Sequence, residues 1–206
     1  MSKIKISYAI LACVELVELQ KLLPFLKENK NKEDEIVILL DDSCYTAGVE
    51  ELAGKYADTV GHKSLNNDFA GQKNKLISMC EGDYIFNIDA DEMPHKNLMG
   101  NLHSLLEENS NVDVFYVSRV NTVEGLTDEH IHEWHWRINE KGWVNWPDPQ
   151  MRIMKNTPSI RWKNPVHEIL SGYGTFVTLP EQEEWSIYHH KSIQRQEKQN
   201  AFYATI

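Results

Sequence analysis

Two short apolar runs in this sequence stop abruptly in acids: EIVILLDD at Glu35–Asp42 and YIFNIDAD at Tyr84–Asp91. Runs this continuous do not suit a strand with one wet face. They suit strands covered on both faces, as in a parallel sheet flanked by helices. The stretches around them change period. KIKISYAILAC reads as a further strand, and ELVELQKLLPFLKEN then sets Leu16, Leu19, Leu22, Leu23 and Leu26 at helical spacing, with Pro24 predicting a kink or a position near the helix start. TAGVEELAGKYA reads as helix, DTVGHKS as a short strand and DFAGQKNKLISMCEG as helix. Strands that alternate with helices predict an α/β domain with a mostly parallel sheet.

Ligands of open α/β sheets bind beyond the carboxyl ends of the strands. Asp41 and Asp42 close one strand, and Asp89 and Asp91 close another, so both acid pairs are expected on one rim. Beyond the acids, Pro94 suits the first turn of a helix through HKNLMGNLHSLLEEN. DVFYVSRV, QMRIMKN and IRWKN read as strands, Asn121–Asp148 resists assignment, and HHKSIQRQEKQNAFYATI reads as a closing amphipathic helix. No repeat or linker divides the chain.

Composition limits the partners. Thirty-one acids against 21 bases give a formal charge of −10, which counts against a broad phosphate-binding surface and makes nucleic acid an unattractive partner, modified DNA being left open. Cys13, Cys44 and Cys80 are scattered and odd in number, without a CxxC pattern, which points to a reducing compartment. Glu15 and Glu18 interrupt the apolar N-terminal stretch, so it does not read as a signal peptide, and no run approaches bilayer length. A soluble cytoplasmic protein is the expectation.

The chemistry lies in Asp89-Ala90-Asp91. Alternate carboxylates at a strand end, separated by a small residue, face one crevice and repel unless a cation lies between them. Hard oxygen ligands suit Mg²⁺ or Mn²⁺, which share coordination with substrate phosphates. A bare D-x-D also fits a solvated turn that caps a helix.

The wider stretch is more specific. LNNDFAGQKNKLISMCEGDYIFNIDADEMP, Leu65–Pro94, resembles the core of family 2 glycosyltransferases with the GT-A fold: an F-A-x-x-[KR]-N helix, a G-D-[YW]-[IV]-F strand, then D-A-D-E. ISYAILACVE and VILLDDS are similar to the family's first two strands, and WPDPQMRIMKN with IRWKNPVHEIL to its acceptor side in bacterial and phage members. The resemblance implies one GT-A domain over 1–206, with a donor half at 1–94 and an acceptor half at 95–206; the chain is short for the family, and a separate acceptor domain or membrane-tethering helix is not expected.

It also implies roles. Asp91 would bind a divalent metal, with Asp89 at the ribose or reaching the metal through water. Asp41 or Asp42 would contact the nucleotide base, and Lys73 the diphosphate. Glu92 stays open between a supporting part and the helix start. Family relatives supply a histidine to the metal from the C-terminal region, for which His189 and His190 are positioned, with His167 as a third candidate. The implied reaction is inverting transfer from a nucleotide-diphosphate sugar, UDP first, to the hydroxyl of a glycan, protein or small molecule. A general base is required, and Glu168 is the first candidate before Asp148; each also fits a structural ion pair. Two departures bear on the base-binding loop. Val14-Glu15 stands where the family usually has Asn-Glu, and Asp41-Asp42-Ser43-Cys44 lacks the usual glycine.

EHIHEWHW gathers His130, His132 and His135, but strand alternation would put His130 and His132 on one face and His135 on the other, against a zinc site. Trp134, Trp136, Trp143 and Trp146 offer faces on which an acceptor sugar stacks, or simply pack the loop. Nucleotidyl transfer is a competing reading, disfavoured because no glycine-rich basic loop follows the first strand. A non-catalytic nucleotide- or sugar-binding module of the same fold is the other.

Overall fold

The computed structural model describes residues 4–203. The elements run β1 (Ile6–Ala12), α1 (Leu16–Asn29), β2 (Glu35–Leu40), α2 (Ala47–Tyr56), β3 (Thr59–His62), α3 (Phe69–Ile77), β4 (Tyr84–Asp89), β5 (Glu92–Pro94), α4 (Lys96–Glu108) and β6 (Val114–Glu124). There follow α5 (Asp128–Glu133), β7 (Pro149–Lys155), β8 (Arg161–Lys163), β9 (Ile169–Ser171), β10 (Phe176–Thr178), β11 (Ile187–Ser192) and α6 (Ile193–Tyr203).

The main sheet has the order β3-β2-β1-β4-β7-β6-β11-β5, with β10 added beside β6. β3, β2, β1 and β4 run parallel, β7 is antiparallel to both its neighbours, and β11 is parallel to β6. The expected mostly parallel α/β sheet is therefore present. Its strands are apolar throughout because each feeds two cores. Ile36, Ile38 and Leu40 join one cluster with the leucines of α1, while Val37 and Leu39 of the same strand join another with Leu76 and Ile77 of α3. Gly82, two residues ahead of β4, lies in close contact with β1: a Cβ there would lie 2.6 Å from the Ser7 backbone nitrogen. Asp68 caps α3 by accepting from Gly71 N at 2.8 Å, and Thr46 caps α2.

Several local expectations change. Pro24 sits inside α1, not near its start. Pro94 ends β5 rather than opening a helix; β5 pairs with β11, and α4 begins at Lys96 behind a His95 cap. His189 and His190 belong to β11, so the last helix starts only at Ile193. His130 and His132 lie on the short helix α5 and not on a strand, with His130 closing a capping box on Thr127. Cys13 and Cys44 form a disulfide, leaving Cys80 free. The register that pairs Ala12 with Leu40 brings the two following segments together, which the separation of 31 residues conceals in the sequence. The argument from cysteine count to a reducing compartment thus loses its basis. Among the described residues no helix is long and apolar enough to cross a membrane.

Candidate active site

The acids that follow β4 meet cations from distant strands. Arg152 of β7 is 4% exposed, and one of its terminal nitrogens donates to Asp89 Oδ2 and to Glu92 Oε1, each at 2.5 Å. Glu92 is buried, its other oxygen accepts from Asp89 N at 3.1 Å, and Arg119 of β6 stands 3.5 Å from it. Burial pushes the Glu92 carboxyl up to about 7, helped by the charge of Asp89 and opposed by Arg152 and Arg119. Burial pulls Asp89 upward too, yet Arg152 and Lys73 hold it below the usual carboxylate range. Arg152 is held firmly protonated, although burial works against its charge. One guanidinium thus serves two carboxylates. We take Asp89–Arg152 as the permanent ion pair and Glu92 as the member that protonates first.

Asp91 lies on the other side of the turn. Its Oδ2 is 3.2 Å from His189 Nε2 and 3.2 Å from an Arg195 nitrogen on α6. Burial raises its carboxyl, but His189, Arg195 and Lys191 outweigh that and hold it far below the usual range. Burial lowers His189, against the pull of Asp91. His189 Nδ1 meets Asn121 Oδ1 at 2.8 Å, and Asn121 Nδ2 donates to Asp148 Oδ2 at 2.8 Å. Asp148 also accepts from Arg119 Nε at 2.9 Å and from Gln150 Nε2 at 2.7 Å. Desolvation opposes its ionisation, and Arg119, Asn121 and Gln150 more than compensate. A polar cavity of about 310 Å³ opens beside this chain of contacts, lined by Arg119, Asn121, Trp136, Asp148, His189 and Lys191 among others.

Lys73 on α3 is bonded to Glu168 and lies 4.2 Å from the centre of the Trp162 ring. Asp41 shapes the loop after β2: its Oδ1 accepts from Ser43 N at 3.0 Å and Leu65 N at 3.1 Å. Asp42 faces His62 at 3.2 Å. Leu11, Ala12, Leu39, Asp41, Leu65 and Phe69 help to line a second cavity, of about 410 Å³, with the disulfide at its wall. Asp41 belongs to it; Asp42 does not line it. His190 meets Thr122 Oγ1 at 2.7 Å on the surface, away from the acids. His167 adopts φ 53° in the turn before β9. Trp134 packs on Trp136, and Trp143 on Trp146, each pair edge-on with centroids 4.8 Å apart, and only Trp136 of these lines the polar cavity.

The structure therefore brings Asp89, Asp91, His189 and Asp148 to one rim, with Lys73 and Glu168 paired on α3 and the turn before β9. Among the described residues no three His, Cys, Asp or Glu side chains gather as a ready metal cluster; Asp91 and His189 form a pair. The sequence singles out Arg152 and Arg161 only as candidate ion-pair partners of Glu168, whereas Glu168 pairs with Lys73 and Arg152 with Asp89 and Glu92; Arg119, Asn121, Lys191 and Arg195 are not singled out by the sequence. A signal for the two strand arginines was present: Arg152 in MRIM and Arg119 in VSRV are charges set in otherwise apolar strand runs, where an unpaired charge is costly.

The sequence model for "Glycosyl transferase family 2" matches residues 7–203. The chain belongs to this family. Among solved structures, S. aureus TarS residues 1–349 in complex with UDP-GlcNAc aligns with a TM-score of 0.63 at 15% identity, covering 91% of this family 2 chain and 58% of that one. A second crystal structure of TarS 1–349 gives 0.61 at 14%, covering 90% and 60%. A further TarS structure gives 0.61 at 13%, covering 90% and 36%. At these identities the likeness shows a shared GT-A fold, and this chain spans no more than 60% of the TarS chains it matches. No curated protein matches it.

Proposed function

We propose that this family 2 chain transfers a sugar from a nucleotide-diphosphate donor, a UDP-sugar first, to an acceptor hydroxyl with inversion, and that it uses Mn²⁺ or Mg²⁺. The observation that carries the proposal is the pair Asp91 Oδ2 and His189 Nε2, 3.2 Å apart at the tip of β4. A carboxylate oxygen and an imidazole nitrogen are a sound donor set for Mn²⁺, and Asp89 stands two residues away to engage ribose or a metal-bound water. When bound, such an ion supplies positive charge against the departing diphosphate. Binding of UDP-GlcNAc by TarS, of the same fold, supports a UDP donor.

The chain's own residues do the rest. The cavity beside Asp41 receives the base, with Phe69 and Leu39 as apolar wall. Lys73 approaches the diphosphate, and its hold on Glu168 ties donor arrival to the freeing of that carboxylate. Glu168 is the first candidate for the base that takes the acceptor proton. Asp148 is second, because both its oxygens already accept hydrogen bonds. The acceptor enters the polar cavity lined by Trp136 and Asp148. Residues 1–94 then act as the donor half and 95–206 as the acceptor half, with His189 crossing over to complete the first. The net charge of −10 favours a glycan, protein or small-molecule acceptor over nucleic acid.

A thermal-shift comparison tests this. UDP with Mn²⁺ should raise the melting temperature, UDP alone less, and Asp91→Ala should lose the metal-dependent part. Equal stabilisation of the parent and Asp91→Ala would remove the metal role. Turnover of a UDP-sugar separates an enzyme from a binding module, and Glu168→Gln should abolish transfer without weakening donor binding.

A further inference from the structure

We propose that Asn121 is a positioning residue that fixes the imidazole of His189 with its proton on Nδ1, so that Nε2 turns a bare lone pair towards Asp91, and that Asp148 anchors Asn121 for this purpose. The proposal rests on the metal reading above for its consequence, not for its geometry.

Asn121 and His189 are register partners on the parallel strands β6 and β11. The Asn121 backbone is held from its other side, where its carbonyl accepts from Val144 N at 2.9 Å. Its side-chain amide has a donating and an accepting end, and Asp148 decides which faces where. A carboxylate only accepts, so the NH₂ end must be the one 2.8 Å from Asp148 Oδ2. Asp148 is kept as a carboxylate by Arg119, whose Nε and a terminal nitrogen reach the same Oδ2 at 2.9 and 2.8 Å. The amide oxygen is then the end 2.8 Å from His189 Nδ1, and only an N–H satisfies it there.

In the neutral ring the proton on Nδ1 leaves Nε2 without one. Nε2 and Asp91 Oδ2, 3.2 Å apart, are then two electron-pair donors facing each other, an arrangement that favours a cation; the Arg195 guanidinium, also 3.2 Å from that oxygen, is the charge a metal there would have to compete with. The opposite tautomer would donate Nε2–H to Asp91 and satisfy it internally. The relay Arg119–Asp148–Asn121–His189 therefore keeps the pair competent for a metal. It also gives Asp148 work that does not involve taking a proton from the acceptor, which leaves the base to Glu168.

Two-bond ¹H–¹⁵N spectra of the whole 206-residue chain, metal-free and labelled with ¹⁵N-histidine, recorded above the ordinary histidine range, report the tautomer directly. His189→Gln assigns the signals. The parent should show a protonated Nδ1 and a bare Nε2. Asn121→Leu should shift the ring towards the Nε2–H form and weaken Mn²⁺ binding, read by electron paramagnetic resonance, about 10- to 100-fold. The swap Asn121→Asp with Asp148→Asn restores an acceptor opposite Nδ1 and a donor opposite it, and should recover Mn²⁺ affinity to within about threefold. It also covers a failure of Asn121→Leu to fold. A parent ring in the Nε2–H form, or Asn121→Leu with the parent's tautomer and Mn²⁺ affinity, overturns the proposal. A parent that binds no Mn²⁺ overturns the metal reading instead, and the spectra still decide the tautomer.

Discussion

Two strands of this molecule end in acids, and the two ends are built differently. After β2, Asp41 and Asp42 sit at the surface and are met by backbone N–H groups, a serine hydroxyl and one histidine. After β4, Asp89, Asp91 and Glu92 are met by Arg152, Arg119, Arg195 and His189. The first end uses a carboxylate to fold a loop. The second concentrates negative charge and balances it with guanidinium groups brought from other strands and from α6. Water competes for the first set and is excluded from Glu92 and largely from Asp91, while the Asp89 side chain, 38% exposed, keeps one edge open to it, so equal-looking acids differ in what their loss costs.

That contrast sets the order of expected effects. Arg152→Met leaves Glu92 buried with its main cation gone, and should cost about 3–5 kcal/mol in urea unfolding. A loss below about 1 kcal/mol would place the β4 end in the same class as the β2 end. Glu92→Gln tests the same cluster through pH. The Glu92 carboxyl titrates at about 7 in the folded chain against 4.5 as its ordinary value. Its folded pKa is raised, so its contribution is fully present below pH 4.5 and is lost as pH rises through 7. The parent should therefore lose roughly 1–3 kcal/mol of stability relative to Glu92→Gln between pH 4.5 and 8. A constant difference across that range would mean that Arg152 keeps Glu92 ionised throughout.

Asp41→Ala should weaken UDP binding about tenfold, or ~1.4 kcal/mol, and leave Mn²⁺ affinity alone. A matching loss of Mn²⁺ would erase the division of labour between the two ends. The smallest effect is expected from Arg195→Gln. Its guanidinium is about one-third exposed and shares Asp91 Oδ2 with His189. Removing it should change stability by less than about 1 kcal/mol and raise Mn²⁺ affinity in the absence of nucleotide about twofold to threefold. Weaker Mn²⁺ binding would show that Arg195 supports the pair instead of competing for it.

The alternation of strands and helices, the burial of EIVILL and YIFNID, and the shared rim could all be read from sequence, because each depends on residues close together in the chain. The partners of the acids could not. Asp91 finds His189 at a separation of 98 residues and Asp89 finds Arg152 at 63. No local period encodes either meeting. The short strands β5, β9 and β10 were hidden because three residues carry no repeat, and β11 because IYHHKS mixes histidines and lysine into a buried strand. His189 is buried there because Asp91 across the rim receives it, Lys191 because Gln199 accepts from its ammonium, and His190 points to the surface. The cysteine pair was lost for a similar reason: only the parallel register of β1 and β2 brings Cys13 beside Cys44.

The placement of β11 between β6 and β5 has a consequence for how the protein is made. A ribosome lays down Asp89, Asp91 and Glu92 early, and Glu92 must await its register partner His189. Until β11 docks, the β4 tip carries its acids without the imidazole that faces them. If the proposed Asp91–His189 metal pair holds, donor binding would be tied to the arrival of the C-terminal segment, and a nascent chain halted before β11 should not capture a sugar nucleotide together with a metal.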